Sequence, residues 1–250
     1  MAYNLTIDQG NTAIKLALWD DQGALVNATT RLHFTARDVA MLFPDVEIGS
    51  AIYCTVSRRP PTMIRALQRR AGNVIEFTPD TPTPLALDYT TPHSLGLDRL
   101  AAAVGAFSLP ESAGKELLVV DLGTAITYDR VTANAHYTGG NIAPGIFMRL
   151  KALNHYTARL PLVDPHKCSS IPAMGNDTRS ALLAGAVRGV VAELEYYHGC
   201  FGENTVAVLT GGYAEMVEPL LSFKPVIEPN LVCLGLNKIL EYNYNSQNQV

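Results

Sequence analysis

The stretch Asp8-Gln9-Gly10-Asn11-Thr12 ends an apolar, strand-like run that begins at Tyr3. A second stretch, Asp121-Leu122-Gly123-Thr124-Ala125, ends the apolar run Leu117 to Val120 in the same way. In each, an acidic residue is followed by any residue, a glycine and a small polar side chain. The two stretches lie 113 positions apart (121 minus 8), and each precedes another apolar run. This repetition predicts a duplicated fold whose two turns grip a polyphosphate from both sides.

The glycines and the small polar residues of these turns are typical of phosphate binding. Gly10 and Gly123 have no β-carbon, so we expect a positive φ there and a close approach of the backbone to a ligand. A tight turn directs successive N–H groups at one point and so forms a nest for phosphate oxygens. Asn11, Thr12 and Thr124 would add amide and hydroxyl donors beside that nest.

The two carboxylates need a different role, because Asp8 and Asp121 would repel a phosphate directly. We expect them to hold a cation that in turn touches the phosphates. An alternative stays open for either turn alone, since Asp-x-Gly is also common in ordinary hairpins. Lys15, on the strand that leaves the first turn, either reaches the phosphates or is a solvated side chain.

Composition excludes several classes of function. The chain has 250 residues, 48% of them hydrophobic, and a net charge of −4, so it lacks the basic balance of a nucleic-acid binder. No apolar run approaches the length needed to span a bilayer, and we expect no membrane association. The first residues read as a strand instead of a basic segment followed by an apolar stretch, so we do not expect secretion. Its four widely spaced cysteines predict reduced thiols, and we expect a cytoplasmic protein.

The order of predicted elements is similar in the two halves of the chain. The first half reads as strands 3–8, 13–19 and 24–30, helix 36–42, strand 48–56, helix 61–71, strand 74–77 and, after a proline-rich loop, helix 98–107. The second half reads as strands 117–120 and 126–131, a strand opening at Tyr137, an irregular loop 139–145, helix 178–197, strand 206–209, and helices 214–221 and 236–242 before a polar, frayed end at 243–250. In helix 178–197, Gly185 and Gly189 either admit a neighbouring helix or are ordinary packing glycines.

This repetition predicts an α/β fold of two ribonuclease H-like domains. The boundary falls at the stretch Pro110 to Gly114, which gives domains 1–113 and 114–250. By analogy, the architecture is that of the superfamily of actin-like ATPases and acetate and sugar kinases.

Four further groups are candidates for chemistry, each with a plain structural alternative. Asp98, in Gly96-Leu97-Asp98-Arg99, either caps a helix or accepts a proton from a substrate hydroxyl, with Arg99 binding an anionic group beside it. Thr178 either starts a helix or contacts substrate through its hydroxyl. Tyr89, in the proline-rich loop, is either core filler or the wall of a pocket. Thr210-Gly211-Gly212 fits a nucleotide-facing turn, although glycine pairs after strands are common.

Together these segments resemble the type III pantothenate kinases, the bacterial enzymes that start coenzyme A synthesis. The resemblance covers nearly the whole chain, and the order and spacing of the segments are more specific than any one of them. The matching segments are Asp8-Gln9-Gly10-Asn11-Thr12, Gly96-Leu97-Asp98-Arg99, Asp121-Leu122-Gly123-Thr124-Ala125-Ile126-Thr127, Gly139-Gly140-Asn141-Ile142-Ala143-Pro144-Gly145 and Leu209-Thr210-Gly211-Gly212.

The resemblance implies a role for each matching residue. Asp98 would accept the proton of the substrate hydroxyl, and Asp121 would hold the monovalent cation, potassium or ammonium, that this family requires alongside magnesium. The residues implied to bind ATP are Asp8, Gln9, Gly10, Asn11, Thr12, Ala13, Ile14, Lys15 and Thr124. Those implied to bind pantothenate are Tyr89, Gly96, Leu97, Asp98, Arg99 and Thr178.

The family also implies a homodimer whose interface helps to close the substrate pocket. A rival from another class is a non-enzymatic accessory factor of transcription on the same fold. That role would not require Asp98, Asp121 and Thr124 together, and all three are present.

Overall fold

The structure is a computed structural model that describes residues 2–10, 13–35, 37–41, 43–55, 61–168 and 170–247. The chain forms two compact units. Unit 1 comprises Met1–Ala113, Val131–Gly139 and Asn230–Val250, and unit 2 comprises Gly114–Arg130 and Gly140–Pro229.

Strands and helices alternate along most of the chain. The strands are β1 (Tyr3–Gln9), β2 (Ile14–Trp19), β3 (Leu25–Arg31), β4 (Ile48–Thr55), β5 (Ala71–Glu76), β6 (Ala86–Leu87), β7 (Glu116–Leu122), β8 (Ala125–Val131), β9 (His136–Pro144), β10 (Thr205–Thr210) and β11 (Val226–Ile227). The helices are α1 (Pro61–Gln68), α2 (Leu97–Phe107), α3 (Ile146–Tyr156), α4 (Thr178–Cys200), α5 (Ala214–Val217) and α6 (Leu231–Gln247). Short 3-10 helices lie at Asp38–Met41, Pro92–Ser94, Pro110–Ser112, Pro165–Lys167 and Glu218–Leu220.

Unit 1 is built on a five-stranded sheet in the order β3-β2-β1-β4-β5. β1 pairs antiparallel with β2 and parallel with β4, while β5 continues the parallel part. The register places Asp8 opposite Lys15 on β2 and opposite Cys54 on β4. The last residues of β1 therefore carry the first acidic turn at the centre of the sheet.

The two faces of this sheet pack against different helices. Leu5 and Ile7 of β1 are fully buried in a core that includes Met63 and Leu67 of α1. Since side chains alternate along a strand, Thr6 and Asp8 point to the other face. There Trp19 donates an indole hydrogen bond to the Thr6 hydroxyl (3.0 Å) and packs with Cys233 of α6. α2 and α6 cover this face, which is also the face of Asp8.

α2 and α6 cross so closely that their backbones are in contact. A β-carbon on Gly235 would overlap the carbonyl oxygen of Ala101 and lie 2.8 Å from the Gly105 nitrogen. A β-carbon on Gly105 would likewise lie 3.0 Å from the Gly235 nitrogen. Because no side chain separates the two helices at this point, α6 holds α2 directly against the sheet.

The second sheet repeats the strand order of the first. It has six strands, five of which are neighbours in the order β9-β8-β7-β10-β11, which corresponds to β3-β2-β1-β4-β5, and β6 pairs with the first residues of β9. β10 runs parallel to both β7 and β11, as β4 does to β1 and β5. The core contains Leu118, Val120 and Leu122 of β7, packed with Val187 and Val190 of α4. The predicted duplicated α/β fold is confirmed by this repeated order.

Some predicted boundaries were wrong. Residues 139–144 belong to strand β9 instead of an irregular loop. Ala71 belongs to β5 instead of the preceding helix, so this strand starts three residues before the predicted strand 74–77. α6 continues through residues 243–247, which we expected to fray, and α3 was not predicted at all. The predicted helix 36–42 is a 3-10 turn at Asp38–Met41; its two end residues, like Val56, lie outside the described residues.

The domain boundaries 1–113 and 114–250 stay a prediction, since a unit defined by contacts need not be an evolutionary domain. Among the residues that the structure describes, none of the helices has both the length and the apolar character needed to cross a bilayer.

We predict that Gly235→Ala destabilises the protein although alanine favours helices. Helix propensity alone would raise the free energy of unfolding by up to about 1 kcal/mol. Overlap with the Ala101 carbonyl should outweigh that gain, because overpacking costs about 1–3 kcal/mol. Denaturant unfolding would measure the difference.

Gly185→Ala is the matched control for this experiment. Gly185 also lies within a helix, α4, but a β-carbon there would meet no atom within 4 Å. This variant should be as stable as the parent or up to about 1 kcal/mol more stable. A Gly235→Ala protein that gained as much stability as the control would contradict the close helix crossing.

Candidate active site

The first acidic turn is held by contacts on both of its sides. The amide of Gly10 donates a hydrogen bond to the carbonyl of Ala13 (3.1 Å), which closes the turn between β1 and β2. The side chain of Gln9 accepts a hydrogen bond from the hydroxyl of Tyr53 on β4. Asn11 and Thr12 lie outside the described residues, so their predicted phosphate contacts stay a prediction.

The backbone of these turns differs from our expectation in one respect. Neither Gly10 nor Gly123 has a positive φ, so that prediction was wrong. Gly211, after β10, has φ +89. A β-carbon there would lie 2.5 Å from Oδ1 of Asp121 and 2.6 Å from the carbonyl carbon of Leu122. In unit 2 the left-handed backbone conformation therefore occurs at Gly211, which packs against the acidic turn. It does not occur at Gly123 within the turn.

The corner Gly96-Leu97-Asp98-Arg99 forms the start of α2. Gly96 is the N-cap and makes no side-chain capping bond, so the interpretation of Asp98 as the cap is wrong. Asp98 lies in the first turn, where its Oδ1 accepts a hydrogen bond from the backbone N–H of Arg99 (2.9 Å). Its side chain is half-buried, whereas Arg99 is only 6% exposed. The corner thus presents a carboxylate at the positive end of a helix.

Unit 1 brings the two predicted acidic residues Asp8 and Asp98 to one place. Burial raises the pKa of the Cys54 thiol well above its ordinary value, and the negative charges of Asp8 and Asp98 raise it further. Cys54 is therefore a buried, protonated thiol close enough to both carboxylates to feel their charge. This proximity follows from the register of β1 with β4 and from the packing of α2 over β4.

Tyr89 is half-buried and rests on aromatic and backbone neighbours within unit 1. Its ring centroid lies 6.0 Å from that of Tyr137, and a β-carbon on Gly139 would lie 3.3 Å from its ring. The preceding residue, Asp88, accepts a 3.0 Å hydrogen bond from His136. These contacts are compatible with both interpretations, so the role of Tyr89 as the wall of a pocket stays a prediction.

The second acidic turn lies in unit 2, at the end of β7. Asp121 is half-buried and Thr124 is exposed. The amide of Gly145 donates to the carbonyl of Thr124 (3.1 Å), and a β-carbon on Gly145 would overlap the carbonyl oxygens of Gly123 and Thr124. Sequence reasoning missed this support, although the apolar spacing of Ile146 and Leu150 could have indicated the helix that follows.

Thr178 is the first residue of α4 and is exposed. The cap is Asp177, whose carboxylate accepts bonds from the amides of Arg179 and Ser180 in a capping box. The hydrogen bond from the Ser180 hydroxyl is the main cause that lowers the pKa of Asp177. A surface cavity of about 350 Å³ lies beside this helix start, lined by Lys167, Cys168, Ser170, Asp177, Arg179, Ser180 and Leu183.

Asp121 fits the role of a cation ligand by its chemistry and its surroundings. A carboxylate oxygen is a hard donor that suits magnesium and other hard cations, and Oδ1 of Asp121 is flanked by the glycine backbones of residues 123 and 211. Magnesium that arrives with ATP needs only one or two protein carboxylates, because phosphates and water supply its other ligands.

Curated relatives match this chain along nearly all of its length. The sequence model of the type III pantothenate kinase family matches residues 4–199. A type III pantothenate kinase of Porphyromonas gingivalis is 40% identical over 97% of this chain and 100% of its own length. The corresponding protein of Phocaeicola vulgatus is 37% identical over 96% of this chain and 98% of its own.

Solved structures share the fold at lower identity. A Campylobacter jejuni protein described as a conserved Baf family transcriptional activator has a TM-score of 0.64 at 23% identity, over 96% of this chain and 99% of that one. A glucokinase from an Antarctic psychrotroph has a TM-score of 0.53 at 13% identity, over 97% and 99%. These likenesses show the fold alone, and they confirm the predicted duplicated α/β fold. Since the family model and relatives at 37–40% identity both span most of it, the chain belongs to the type III pantothenate kinase family.

Proposed function

We propose that this chain transfers the γ-phosphoryl group of ATP to the primary hydroxyl of pantothenate, the reaction that opens coenzyme A biosynthesis. Membership of the type III pantothenate kinase family is the observation that carries the proposal. The arrangement of unit 1 supports it, because Asp8 lies opposite Cys54 in the sheet and the charges of both Asp8 and Asp98 act on that thiol. An acid–base group and a phosphate-binding turn would thus act within a short distance.

Binding of ATP is assigned to the segment Asp8–Lys15 and to Thr124. Phosphoryl transfer depends mostly on positioning and on neutralisation of charge, so rigid supports for these segments matter more than covalent chemistry. The bond from Gly10 to Ala13 and the Tyr53–Gln9 contact hold the first segment. Lys15 lies opposite Asp8 in the register of β1 and β2, where its charge would offset that of the phosphates.

Pantothenate is assigned to Tyr89, the corner Gly96–Arg99 and Thr178. Asp98 accepts the proton of the substrate alcohol as its oxygen attacks the γ-phosphorus. The backbone bond from Arg99 to Oδ1 orients the carboxylate, and its Oδ2 is the atom assigned to the proton. Arg99 binds an anionic group of the substrate, for which a planar guanidinium is well suited. Tyr89 forms part of the pocket wall.

The cations are assigned by the same reasoning. Asp121 holds a monovalent cation, potassium or ammonium, and magnesium accompanies ATP. When bound, these ions supply positive charge that stabilises the phosphoryl group during transfer. The protein's own contribution is to fix the carboxylate of Asp121 between the backbones of Gly123 and Gly211.

Family resemblance implies a homodimer, and the surface of unit 2 supports that proposal. Large apolar side chains of α3 and of the segment between α3 and α4 are exposed, and Tyr156 and Met174 are 82% and 86% exposed. The others are Met148, Leu153 and Leu162. Exposed apolar side chains that lie together are typical of an interface between proteins. Light scattering that gave the mass of one 27.0 kDa chain would contradict the homodimer.

A cytoplasmic location is also proposed. Cys54, Cys168, Cys200 and Cys233 are all free thiols, and the cytoplasm keeps thiols reduced. Oxidised, disulfide-linked protein isolated from cells would contradict this location.

A coupled assay of ADP release tests the proposed function. Purified protein with magnesium, potassium and ATP should release ADP when pantothenate is added, and phosphopantothenate should form in equal amount. Reactions without pantothenate, or with a sugar in its place, should show only background release. A protein that released no ADP with pantothenate would return the chain to the accessory role considered from the sequence.

Asp98→Asn should lower kcat by about 10²–10⁴-fold, the range expected for a lost general base. Asparagine has the same shape and keeps an oxygen that can accept the Arg99 amide, so the fold should be retained. The KM for ATP should change little, since Asp98 is assigned to the other substrate. A variant that kept more than half of the parent's turnover would remove Asp98 from this role.

Asp121→Ala should abolish the activation of the enzyme by potassium or ammonium. The parent protein, assayed with magnesium and each monovalent chloride in turn, should be more active with potassium or ammonium than with sodium. The variant should show the same low rate in all three salts. A variant that still responded to potassium would refute the assignment of the ion to Asp121.

A further inference from the structure

Three side chains of unit 2 form a connected, partly buried network. Arg149 of α3 donates from Nη2 to both carboxylate oxygens of Glu193 on α4, at 2.8 and 2.7 Å. The hydroxyl of Tyr128 on β8 donates to Oε2 of the same glutamate at 2.7 Å. The side chains of Arg149 and Glu193 are 19% and 34% exposed, so the pair is largely withdrawn from water. The network therefore connects a strand and two helices at one point.

The electrostatics of the network fit a persistent ion pair. Burial would raise the pKa of the Glu193 carboxyl, but the hydrogen bonds from Arg149 and Tyr128 outweigh it and the pKa is lowered. Burial raises the pKa of Tyr128 well above its ordinary value, and its bond to Glu193 adds to that effect. Glu193 is thus charged and Tyr128 is a neutral donor throughout the physiological range.

The same guanidinium also holds the backbone that precedes α3. Nε of Arg149 donates to the carbonyl of Pro144 at 2.8 Å. The next residue, Gly145, donates its amide to the carbonyl of Thr124 at 3.1 Å and leaves no room for a β-carbon against residues 123 and 124. Two hydrogen bonds in succession therefore connect the Arg149–Glu193 pair to the turn that carries Thr124.

The surroundings admit an arginine at this point. A β-carbon on Gly189, one turn before Glu193, would lie only 3.3 Å from Nη1 of Arg149. Gly189 thus leaves space for the guanidinium of Arg149. From the sequence, we had explained this glycine by the approach of a neighbouring helix or by ordinary packing. Because a guanidinium is a planar fork, it can bind a carboxylate and a carbonyl at once. A lysine would supply the charge without that double contact.

We propose that Arg149 is a positioning residue for ATP. It fixes the corner Pro144–Gly145, and this corner holds the Gly123–Thr124 turn in the conformation that receives the nucleotide. The inference rests on the proposed function, in which Thr124 contacts ATP. It concerns a residue that does not itself touch the substrate.

The test compares Arg149→Met, Arg149→Lys and Tyr128→Phe with Thr124→Ala in the full-length protein. For each, the KM for ATP, the KM for pantothenate and the dissociation constant of ATP by calorimetry are measured. Arg149→Met should weaken the binding of ATP and raise both its KM and its dissociation constant by about 10–100-fold. A small misplacement of a binding group has effects of that size. The KM for pantothenate should change by less than about threefold.

The milder variants keep the test informative should Arg149→Met fold poorly. Arg149→Lys should recover part of the ATP affinity, since it retains the charge and loses the fork. Tyr128→Phe removes one hydroxyl and should shift ATP affinity in the same direction by a smaller factor. Thermal unfolding of each variant checks that the fold is retained.

Arg130→Lys is the matched control. Arg130 of β8 forms a similar pair with Glu116 of β7, with hydrogen bonds of 3.0 and 2.8 Å, within the same unit. Its recorded hydrogen bonds go to Glu116 and not to the corner at 144–145. This variant should leave the affinities for both substrates near those of the parent.

The outcomes separate the inference from the proposed function. If Thr124→Ala weakens ATP while the Arg149 variants do not, the positioning role is overturned and the kinase assignment stands. If the Arg149 variants weaken the binding of ATP and of pantothenate equally, their effect is only structural and the inference is also overturned. If the Arg149 variants weaken ATP binding as expected but the parent does not phosphorylate pantothenate, the proposed function fails while the positioning role is supported.

Discussion

The central position of β1 and β7 in their sheets is the constraint on which the site depends. Both strands have neighbours on each side, and their middle residues, Leu5–Ile7 and Leu117–Val120, are almost completely buried. A charged side chain within such a strand would lose its hydration without compensation. The first positions at which a carboxylate is tolerated are the strand ends, where Asp8 and Asp121 are half-buried. Duplication of the fold thus supplies an acidic turn at the same topological position in each unit.

The two turns are supported in different ways. In unit 1 a side chain holds the turn, because the Tyr53 hydroxyl binds Gln9 from the neighbouring parallel strand. In unit 2 backbone packs on backbone, since Gly145 lies against residues 123 and 124 and Gly211 lies against residues 121 and 122. Backbone packing of this kind leaves little freedom for local adjustment. It ties the segments around Gly145 and Gly211 to the second turn, although neither lies next to that turn in the chain.

Much of the fold could be predicted from the sequence, because alternating apolar residues and turn residues are local signals. The strands β1, β2, β7 and β8 and the helix α4 were expected close to their observed ends. α3 was missed since Pro144-Gly145 was interpreted as part of an irregular loop, whereas Pro144 ends β9 and Gly145 is the N-cap of α3. The site residues came from motifs, but their surroundings depend on contacts between distant segments. Glu193 lies 44 positions from Arg149, and the left-handed backbone of Gly211 depends on what packs against it. No local pattern indicates either feature.

The contact between α6 and α2 has a consequence for the order in which the protein can be assembled during translation. Residues 231–247 are made after all of unit 2, yet they cover the face of the first sheet on which Trp19 and Thr6 are buried. A nascent chain that has emerged only as far as residue 229 has this apolar face without its helix. The first unit therefore cannot reach its native state on the ribosome before the second has been synthesised, and during that interval the uncovered face is open to chaperones or to aggregation.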